Sequence, residues 1–250
     1  MIEAHGISKA FDGVRAVDDL SFEVADGEVY GLLGRNGAGK TTTLRVLATL
    51  LSPDRGSATV AGFDVVADGE DVRRSIGVVN GGMGLYDRLT GREVLHYFGR
   101  LYGMQPAAID ARIDQLDTLL ELGDTLARRA GGYSSGMKQK IVVARAVLHD
   151  PPVIFFDEAT SGLDVVARRA VLDFVKRYPS QGRAVLYSTH VMSEVEELCD
   201  RACIIDRGRK IAEGSVPELV SAGGGKNLED AFFHLVEGSG GAQRDAGVEA

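Results

Sequence analysis

Residues 34–41 of this chain read Gly34-Arg35-Asn36-Gly37-Ala38-Gly39-Lys40-Thr41. This stretch fits the pattern G-x-x-x-x-G-K-[ST], and it lies between an apolar run at residues 29–33 and a helical pattern that begins at Lys40. Glycine makes up 32 of the 250 residues. With the frequencies of Gly, Lys and Ser plus Thr in a chain of this length, about 0.01 matches to the pattern are expected by chance. The match predicts a strand, a glycine-rich loop and a helix in that order.

Such a loop binds the phosphates of a nucleotide. Its glycines let backbone N–H groups turn towards phosphate oxygens, and the helix that follows offers its positive end. Lys40 is expected to reach the outer phosphates, and the Thr41 hydroxyl is expected to ligate Mg²⁺. The predicted nucleotide-binding residues of this loop are Gly34, Arg35, Asn36, Gly37, Ala38, Gly39, Lys40, Thr41 and Thr42.

Two adjacent carboxylates, Asp157 and Glu158, follow the wholly apolar run at residues 153–156. Ligands collect at the carboxyl ends of parallel strands, and neighbouring side chains on a strand point to opposite faces. We therefore expect Asp157 to hold Mg²⁺ and Glu158 to orient and deprotonate the attacking water. On its own this pattern is more typical of an ordinary turn. Together with the phosphate loop, it indicates catalysis.

His190 follows another predicted strand, at residues 185–188, on the same side of the sheet. A single histidine in such a place is more often a capping or core residue. Here its position predicts a contact with the γ-phosphate or the attacking water. The other histidines have no such placement and are expected to be structural or solvated: His5, His96, His149 and His234.

The rest of the chain predicts an α/β fold. Residues 2–34 alternate as strands with Asp-Gly turns at 12–13 and 26–27, which indicates a small antiparallel sheet. Residues 82–150 are helical in pattern, with amphipathic stretches at 92–102, 109–122 and 137–148. Strands at 153–156, 185–188 and 203–206 then alternate with helices at 165–177 and 191–199. This alternation predicts a parallel sheet that is covered on both faces.

Composition excludes several classes of protein. With 44% hydrophobic and 26% charged residues the chain is expected to be soluble and globular, and a net charge of −8 disfavours nucleic-acid binding. Cys199 and Cys203 are expected to pack as small apolar residues rather than to bind zinc. No signal peptide and no apolar run near the ~20 residues of a spanning helix are visible, which predicts a cytoplasmic chain.

These elements together resemble the ATP-binding subunit of ABC transporters over residues 2–236. The stretch Tyr133-Ser134-Ser135-Gly136-Met137-Lys138-Gln139 is similar to the family's signature motif, with Ser135 where glycine is usual. As a bare sequence it could equally be a polar turn that caps the next helix. The resemblance implies that Ser134, Ser135, Gly136 and Met137 of one subunit cover the ATP on the phosphate loop of a second.

Other positions follow from the same resemblance. Phe11 matches the aromatic residue that stacks on adenine, although alone it could be a core residue of the first hairpin. The stretch Ser161-Gly162-Leu163-Asp164 resembles the loop that meets the partner subunit; the alternative is a plain turn. His190 matches the family's switch histidine. One position departs from the family: Gly81 stands where a glutamine that contacts Mg²⁺ and senses the membrane subunit is usual, with Asn80 beside it.

The resemblance implies a RecA-like P-loop NTPase core at residues 1–81 and 151–220, with an N-terminal antiparallel β subdomain. A helical subdomain at 82–150 carries the signature motif. After a flexible glycine-rich break, a C-terminal helix at 221–236 completes a single ABC ATP-binding domain. Residues 237–250 are glycine-rich and polar, and we expect them to be disordered.

The implied function is ATP hydrolysis in an export transporter. Residues 84–93, the signature and residues 228–235 are most similar to the sodium-exporter branch of these subunits. That implies ATP and Mg²⁺ as cofactors, a separately encoded permease, a second ATP-binding subunit (a homodimer) and a peripheral location on the cytoplasmic face of the membrane.

Two alternatives stay open at this point. A soluble ABC-type clamp of DNA repair, chromosome organisation or translation is disfavoured by the single phosphate loop, the short insertion and the acidic charge. An inactive regulatory subunit is disfavoured by the presence of Glu158 and His190.

Overall fold

The computed structural model describes residues 1–242, apart from the side chains of residues 180–181 and 239–242. Within this part of the chain, six strands form the larger sheet: β3 (Val29–Leu33), β6 (Ile76–Asn80), β7 (Val153–Asp157), β8 (Ala184–Thr189), β9 (Arg201–Asp206) and β10 (Arg209–Ser215). Their order is β10-β9-β3-β8-β7-β6, and only the β9–β10 pair is antiparallel. The predicted α/β fold class with a parallel-sheet core is confirmed.

A smaller antiparallel sheet has the order β2-β1-β4-β5. Its strands are β1 (Ile2–Phe11), β2 (Val14–Val24), β4 (Arg55–Val60) and β5 (Phe63–Asp64). Asp12 and Gly13 both adopt positive φ in the two-residue hairpin that joins Phe11 to Val14, as the Asp-Gly signal predicted. The turn at residues 26–27 makes no hairpin. It leads instead into β3, whose five residues are all buried and therefore belong in the doubly covered sheet.

The described helices cover both faces of the larger sheet: α1 (Lys40–Leu47), α2 (Gly69–Ser75), α3 (Gly91–Leu101), α4 (Pro106–Leu120), α5 (Ser135–Val147), α6 (Val165–Arg177), α7 (Met192–Leu198), α8 (Val216–Gly223) and α9 (Leu228–Ala242). Three of them, α3, α4 and α5, occupy the region that the sequence predicts to be helical. A capping box between Thr90 and Glu93 fixes the start of α3.

Alternation along the central strands decides which side chains face the phosphate loop. Phe155 of β7 packs in the same core as Leu44 and Leu47 of α1, whereas Phe156 packs with the helical region on the other face. Because side chains alternate along a strand, Asp157 lies on the same face as Phe155 and α1. This alternation therefore places the Asp157 carboxylate on the side of the helix that begins with Lys40.

His149 lies between the helical region and the larger sheet. Its ring stacks on Tyr102 with centroids 3.7 Å apart, and its Nε2 lies 3.0 Å from the Ile76 carbonyl oxygen. Burial lowers the pKa of His149 to about 4, so the ring is neutral at physiological pH. Its contacts are those of a packing residue.

The C-terminal region differs from the prediction. In place of a flexible break, α8 continues to Gly223 and Gly224 turns the chain with a φ of +66°. A Cβ on Gly225 would lie 2.6 Å from the backbone nitrogen of Ala231, so this glycine is required by close packing against α9. Helix α9 also includes residues 237–242, which we expected to be disordered. The remainder of that predicted tail, residues 243–250, lies outside the described residues.

No helix in the described part of the chain combines the length and the apolar character needed to cross a membrane.

Candidate nucleotide site

The phosphate loop closes around the amine of its own lysine. Lys40 is only 4% exposed, and its Nζ donates to the carbonyl oxygens of Gly34, at 2.8 Å, and Arg35, at 3.2 Å. Gly39 has a φ of +108°, and a Cβ at this position would collide with the carbonyl oxygen of Ala16. Glycine is therefore needed both for the backbone angle and for the close approach of the first hairpin.

Both sheets hold the loop in place. The Ala38 carbonyl accepts from the Gly208 N–H at 2.9 Å, and the Gly208 carbonyl accepts from the Asp18 N–H at 2.8 Å. Arg35, Asn36 and Gly37 are exposed at the tip of the loop, while Thr41 and Thr42 lie half-buried in the first turn of α1. The loop thus presents its open side to solvent from a fixed base. No local pattern indicated the role of Gly208, because this residue lies in a turn 170 residues after Ala38 in the chain.

Asp157 lies in a row of polar side chains at the carboxyl edge of the sheet. It is in register with Ser188 of β8 and Asn80 of β6, and the Ser188 hydroxyl donates to Asp157 Oδ1 at 3.0 Å. Registered residues of parallel strands share a face, so all three side chains lie on the α1 side. The serine fixes one carboxylate oxygen and leaves the second for another partner.

Glu158 lies close to two other predicted site residues, Lys40 and His190. Its Oε1 lies 3.3 Å from Lys40 Nζ and 3.3 Å from His190 Nδ1. Its backbone has a φ of +50°, an uncommon conformation for a residue other than glycine, and its N–H is held by the Ser188 carbonyl at 3.0 Å. This left-handed turn redirects the chain at the end of β7 and aims the carboxylate at the mouth of the phosphate loop.

The departure at Gly81 has a packing reason. The Gly81 N–H donates to the Asp157 carbonyl at 3.0 Å, and a Cβ on Gly81 would lie 2.9 Å from the carbonyl oxygen of Glu158. A glutamine at this position would push the loop after β6 away from the end of β7. The neighbouring Asn80 has a buried Oδ1 without a hydrogen-bond partner among the described residues. An amide in this state is available to a ligand or a partner protein.

The signature residues lie with Asp164 and not with the phosphate loop. The Ser134 hydroxyl accepts from the Met137 N–H at 3.2 Å and caps α5, while Asp164 Oδ1 accepts from the Ala167 N–H at 2.9 Å and caps α6. Both caps border a groove of about 830 Å³ whose described lining includes no residue of 34–42. Ser135 is exposed beside it.

Phe11 ends β1 with its side chain 43% exposed, so it is not a core residue of the hairpin. The Lys9 ammonium lies 5.9 Å from the centre of its ring. A ring with this exposure can be reached from solvent, which leaves it free to stack on a base.

Two positions with clear contacts were missed at the sequence level. Gln139 of α5 donates through a buried Nε2 to the Ala159 carbonyl at 2.9 Å, which ties the signature helix to the loop after Glu158. Glu194 of α7 accepts several buried hydrogen bonds behind the site. Gln139 stood inside the signature stretch and could have been noticed there. Glu194 had no sequence signal, because its partners lie on three separate elements.

The sequence and the fold of this chain are similar to those of known proteins. A family model described as ABC transporter matches residues 17–161. The chain is 44% identical over 227 residues to the ABC transporter ATP-binding protein NatA of Bacillus subtilis, covering 90% of this chain and 92% of that protein. It is 43% identical over 227 residues to the daunorubicin/doxorubicin resistance ATP-binding protein DrrA of Streptomyces peucetius, covering 91% of this chain and 69% of that one.

A solved structure of the ATP-binding subunit of an ABC transporter superposes with a TM-score of 0.86 at 30% identity, and it covers 94% of this chain and 99% of that one.

Proposed function

This chain belongs to the ABC transporter family as an ATP-binding subunit, and on that basis we propose that it drives a separately encoded export permease with Glu158 as the general base of ATP hydrolysis. The chain binds and hydrolyses ATP, as the subunits of this family do. The observation that carries the assignment of roles is the position of Glu158 Oε1, 3.3 Å from both Lys40 Nζ and His190 Nδ1. A carboxylate between a phosphate-loop lysine and a histidine is placed for phosphoryl transfer to water.

Lys40 binds the outer phosphates in this proposal. Its ammonium now donates to two loop carbonyls, and phosphate oxygens would replace them with stronger, charge-assisted bonds. The backbone N–H groups of residues 34–41 and the start of α1 bind the remaining phosphate charge. Phosphoryl transfer requires mainly positioning and charge stabilisation, and a buried lysine on a fixed loop supplies both.

Glu158 and His190 act on the attacking water. The Glu158 carboxylate accepts a proton from the water as it attacks the γ-phosphate, and the water's oxygen forms the new bond to phosphorus as the bond to ADP breaks. His190 lies beside the same carboxylate oxygen and can hold the water or the γ-phosphate in line. Both side chains remain partly exposed, which leaves room for the substrate between them.

Thr41 and Asp157 are the residues that would hold Mg²⁺. A hydroxyl and a carboxylate are the hard oxygen ligands that this ion prefers, and the free oxygen of Asp157 fits that role. The described residues contain no group of three or more His, Cys, Asp or Glu side chains able to hold a metal, so phosphate oxygens and water must complete the shell. When bound, Mg²⁺ neutralises charge on the β- and γ-phosphates.

A second copy of the chain completes the site in this proposal. Ser134, Gly136 and Met137 border a groove that the phosphate loop of the same chain does not line, and Ser135 is exposed beside them. The exposed Val165 and Val166 follow Asp164 on the same border, and apolar residues in this position are suited to being covered. Head-to-tail pairing would set the signature of one copy over the ATP of the other, as in the family.

The permease is proposed to dock in a second groove, which has a volume of about 490 Å³. Leu50, Met83, Phe98 and Arg145 line it, as does Asn80, which is next to Asp157 in the sheet. A permease segment in this groove would therefore touch the strand end that carries the catalytic residues. This contact would hold the chain on the cytoplasmic face of the membrane.

The proposed cargo is Na⁺, because residues 84–93, the signature and residues 228–235 resemble the sodium-exporter branch of these subunits. The similarity to DrrA is almost equal, so the cargo must be tested directly. We expect inside-out vesicles that contain the co-purifying permease and this chain to accumulate labelled Na⁺ when ATP is added, and to lose that uptake with Glu158→Gln. ATP-dependent uptake of daunorubicin without Na⁺ uptake would overturn the cargo and keep the transporter.

A further inference from the structure

A buried carboxylate that the proposed mechanism does not use lies directly behind the site. Glu194 of α7 is 1% exposed and accepts four side-chain hydrogen bonds. Its Oε1 accepts from the Thr160 hydroxyl at 2.8 Å and from Arg168 Nε at 2.9 Å. Its Oε2 accepts from the Tyr187 and Thr189 hydroxyls, both at 2.9 Å. All four partners donate to the carboxylate: three hydroxyls and one guanidinium N–H.

Two of the four donors lie next to the proposed catalytic groups, and a third lies at the start of α6. Thr160 lies two residues after Glu158, and Thr189 immediately precedes His190. Arg168 lies in the first turn of α6, where its N–H donates to the Asp164 carbonyl at 2.9 Å. Glu194 thus joins the loop after β7, the turn after β8 and the start of α6 through one side chain.

The donors have little freedom to turn elsewhere. Burial, with the Glu194 charge beside it, raises the pKa of Tyr187, so its hydroxyl remains protonated. The Thr189 hydroxyl also accepts from the Val191 N–H at 3.0 Å, which fixes the turn on the far side of His190. Small displacements of the donors would weaken the hydrogen bonds of the buried Glu194 carboxylate, which is energetically costly. The cluster therefore resists changes in the distance between Thr160, in the loop after β7, and Thr189, at the end of β8.

Joining α6 to α7 does not require the four hydrogen bonds of Glu194. Arg169 and Glu197 already join α6 to α7 through an exposed ion pair at 2.8 Å. None of the bonds described for that pair reaches the loops that carry Glu158 and His190. The two glutamates lie three residues apart on one short helix, so they offer a matched comparison.

We propose that Glu194 is a positioning residue for ATP hydrolysis, which sets the distance between Glu158 and His190 by binding Thr160 and Thr189 at once. The inference rests on the proposed roles of Glu158 and His190. Glu194 touches neither the nucleotide nor the attacking water; it acts through the backbone of the two turns. Its loss should therefore change the rate of the chemical step and leave ATP binding to the phosphate loop as it is.

The test compares Glu194→Gln with Glu197→Gln in steady-state ATP hydrolysis and in ATP titration. We expect Glu194→Gln to lower kcat between about tenfold and about a hundredfold, the scale of a small misplacement of catalytic groups, with KM and ATP affinity within twofold of wild type. Glu197→Gln should match wild type. Unchanged kcat in Glu194→Gln, a loss confined to KM, or an equal loss in Glu197→Gln would overturn the inference.

A second pair of variants decides the question if Glu194→Gln does not fold. Thr160→Ser keeps the hydroxyl that donates to Glu194, whereas Thr160→Val removes it at nearly constant volume. We expect the serine variant to retain kcat and the valine variant to lose it, and equal kcat in both would overturn the inference. Glu158→Gln measured in parallel separates the two proposals: normal turnover in that variant refutes the proposed function itself.

Discussion

Glu158→Gln is expected to lower the rate of ATP hydrolysis at least about a hundredfold while ATP still binds, the scale of losing a general base. The amide has nearly the shape of the carboxylate and can keep its place near Lys40 and His190, but it cannot accept a proton from water. ATP would then remain bound between two copies of the chain, because hydrolysis is the step that loosens the pair. We therefore expect the variant to form an ATP-dependent dimer that persists.

Phosphate release and size-exclusion chromatography with ATP measure the two parts of this prediction. Glu70→Gln is a suitable control, since Glu70 lies exposed on α2 and its ion pair is with the neighbouring exposed Arg74. That variant should hydrolyse ATP at the wild-type rate. Near-normal hydrolysis by Glu158→Gln would show that another group is the base.

Lys40→Ala is expected to weaken ATP binding at least about thirtyfold, the equivalent of roughly 2 kcal/mol for a charge-assisted hydrogen bond. The buried ammonium lies at the centre of the loop, and alanine leaves the carbonyls of Gly34 and Arg35 without their donor. Phosphate would then face those two carbonyl oxygens, so binding loses an attraction and gains a repulsion.

Titration with a labelled ATP measures the loss directly. Lys176→Ala is the matched control, because Lys176 lies exposed in the last turn of α6 and lines neither the phosphate loop nor the signature groove. Its affinity for ATP should equal that of wild type. If Lys40→Ala bound ATP as tightly as Lys176→Ala, the phosphates would have to lie elsewhere.

The parts of the fold that were predictable depend on local patterns. Residues 34–41 form a loop between strand and helix because glycine permits its angles, and the apolar run before Asp157 can only be a buried strand. The hairpin at residues 12–13 follows equally from its Asp-Gly turn. In each case the chemistry that decides the structure lies within a few residues along the chain.

The remaining features depend on contacts that are distant in sequence. The second Asp-Gly turn makes no hairpin, because β3 finds its partners in β8 and β9, more than 150 residues later. Gly223 and Gly225 looked like a linker, yet they permit the tight contact between α8 and α9. Glu194 accepts hydrogen bonds from residues 160, 168, 187 and 189, and no sequence pattern predicts that cluster.

We propose that one copy's phosphate loop and another copy's signature form a single hydrolytic site. Lys40→Ala removes the first half, and Ser135→Arg places a bulky charge on the exposed second half. Each variant alone should hydrolyse almost no ATP. In a mixed dimer one site carries both changes and the other carries neither, so an equimolar mixture should recover about a quarter of wild-type activity. A mixture no more active than the separate variants would contradict the claim.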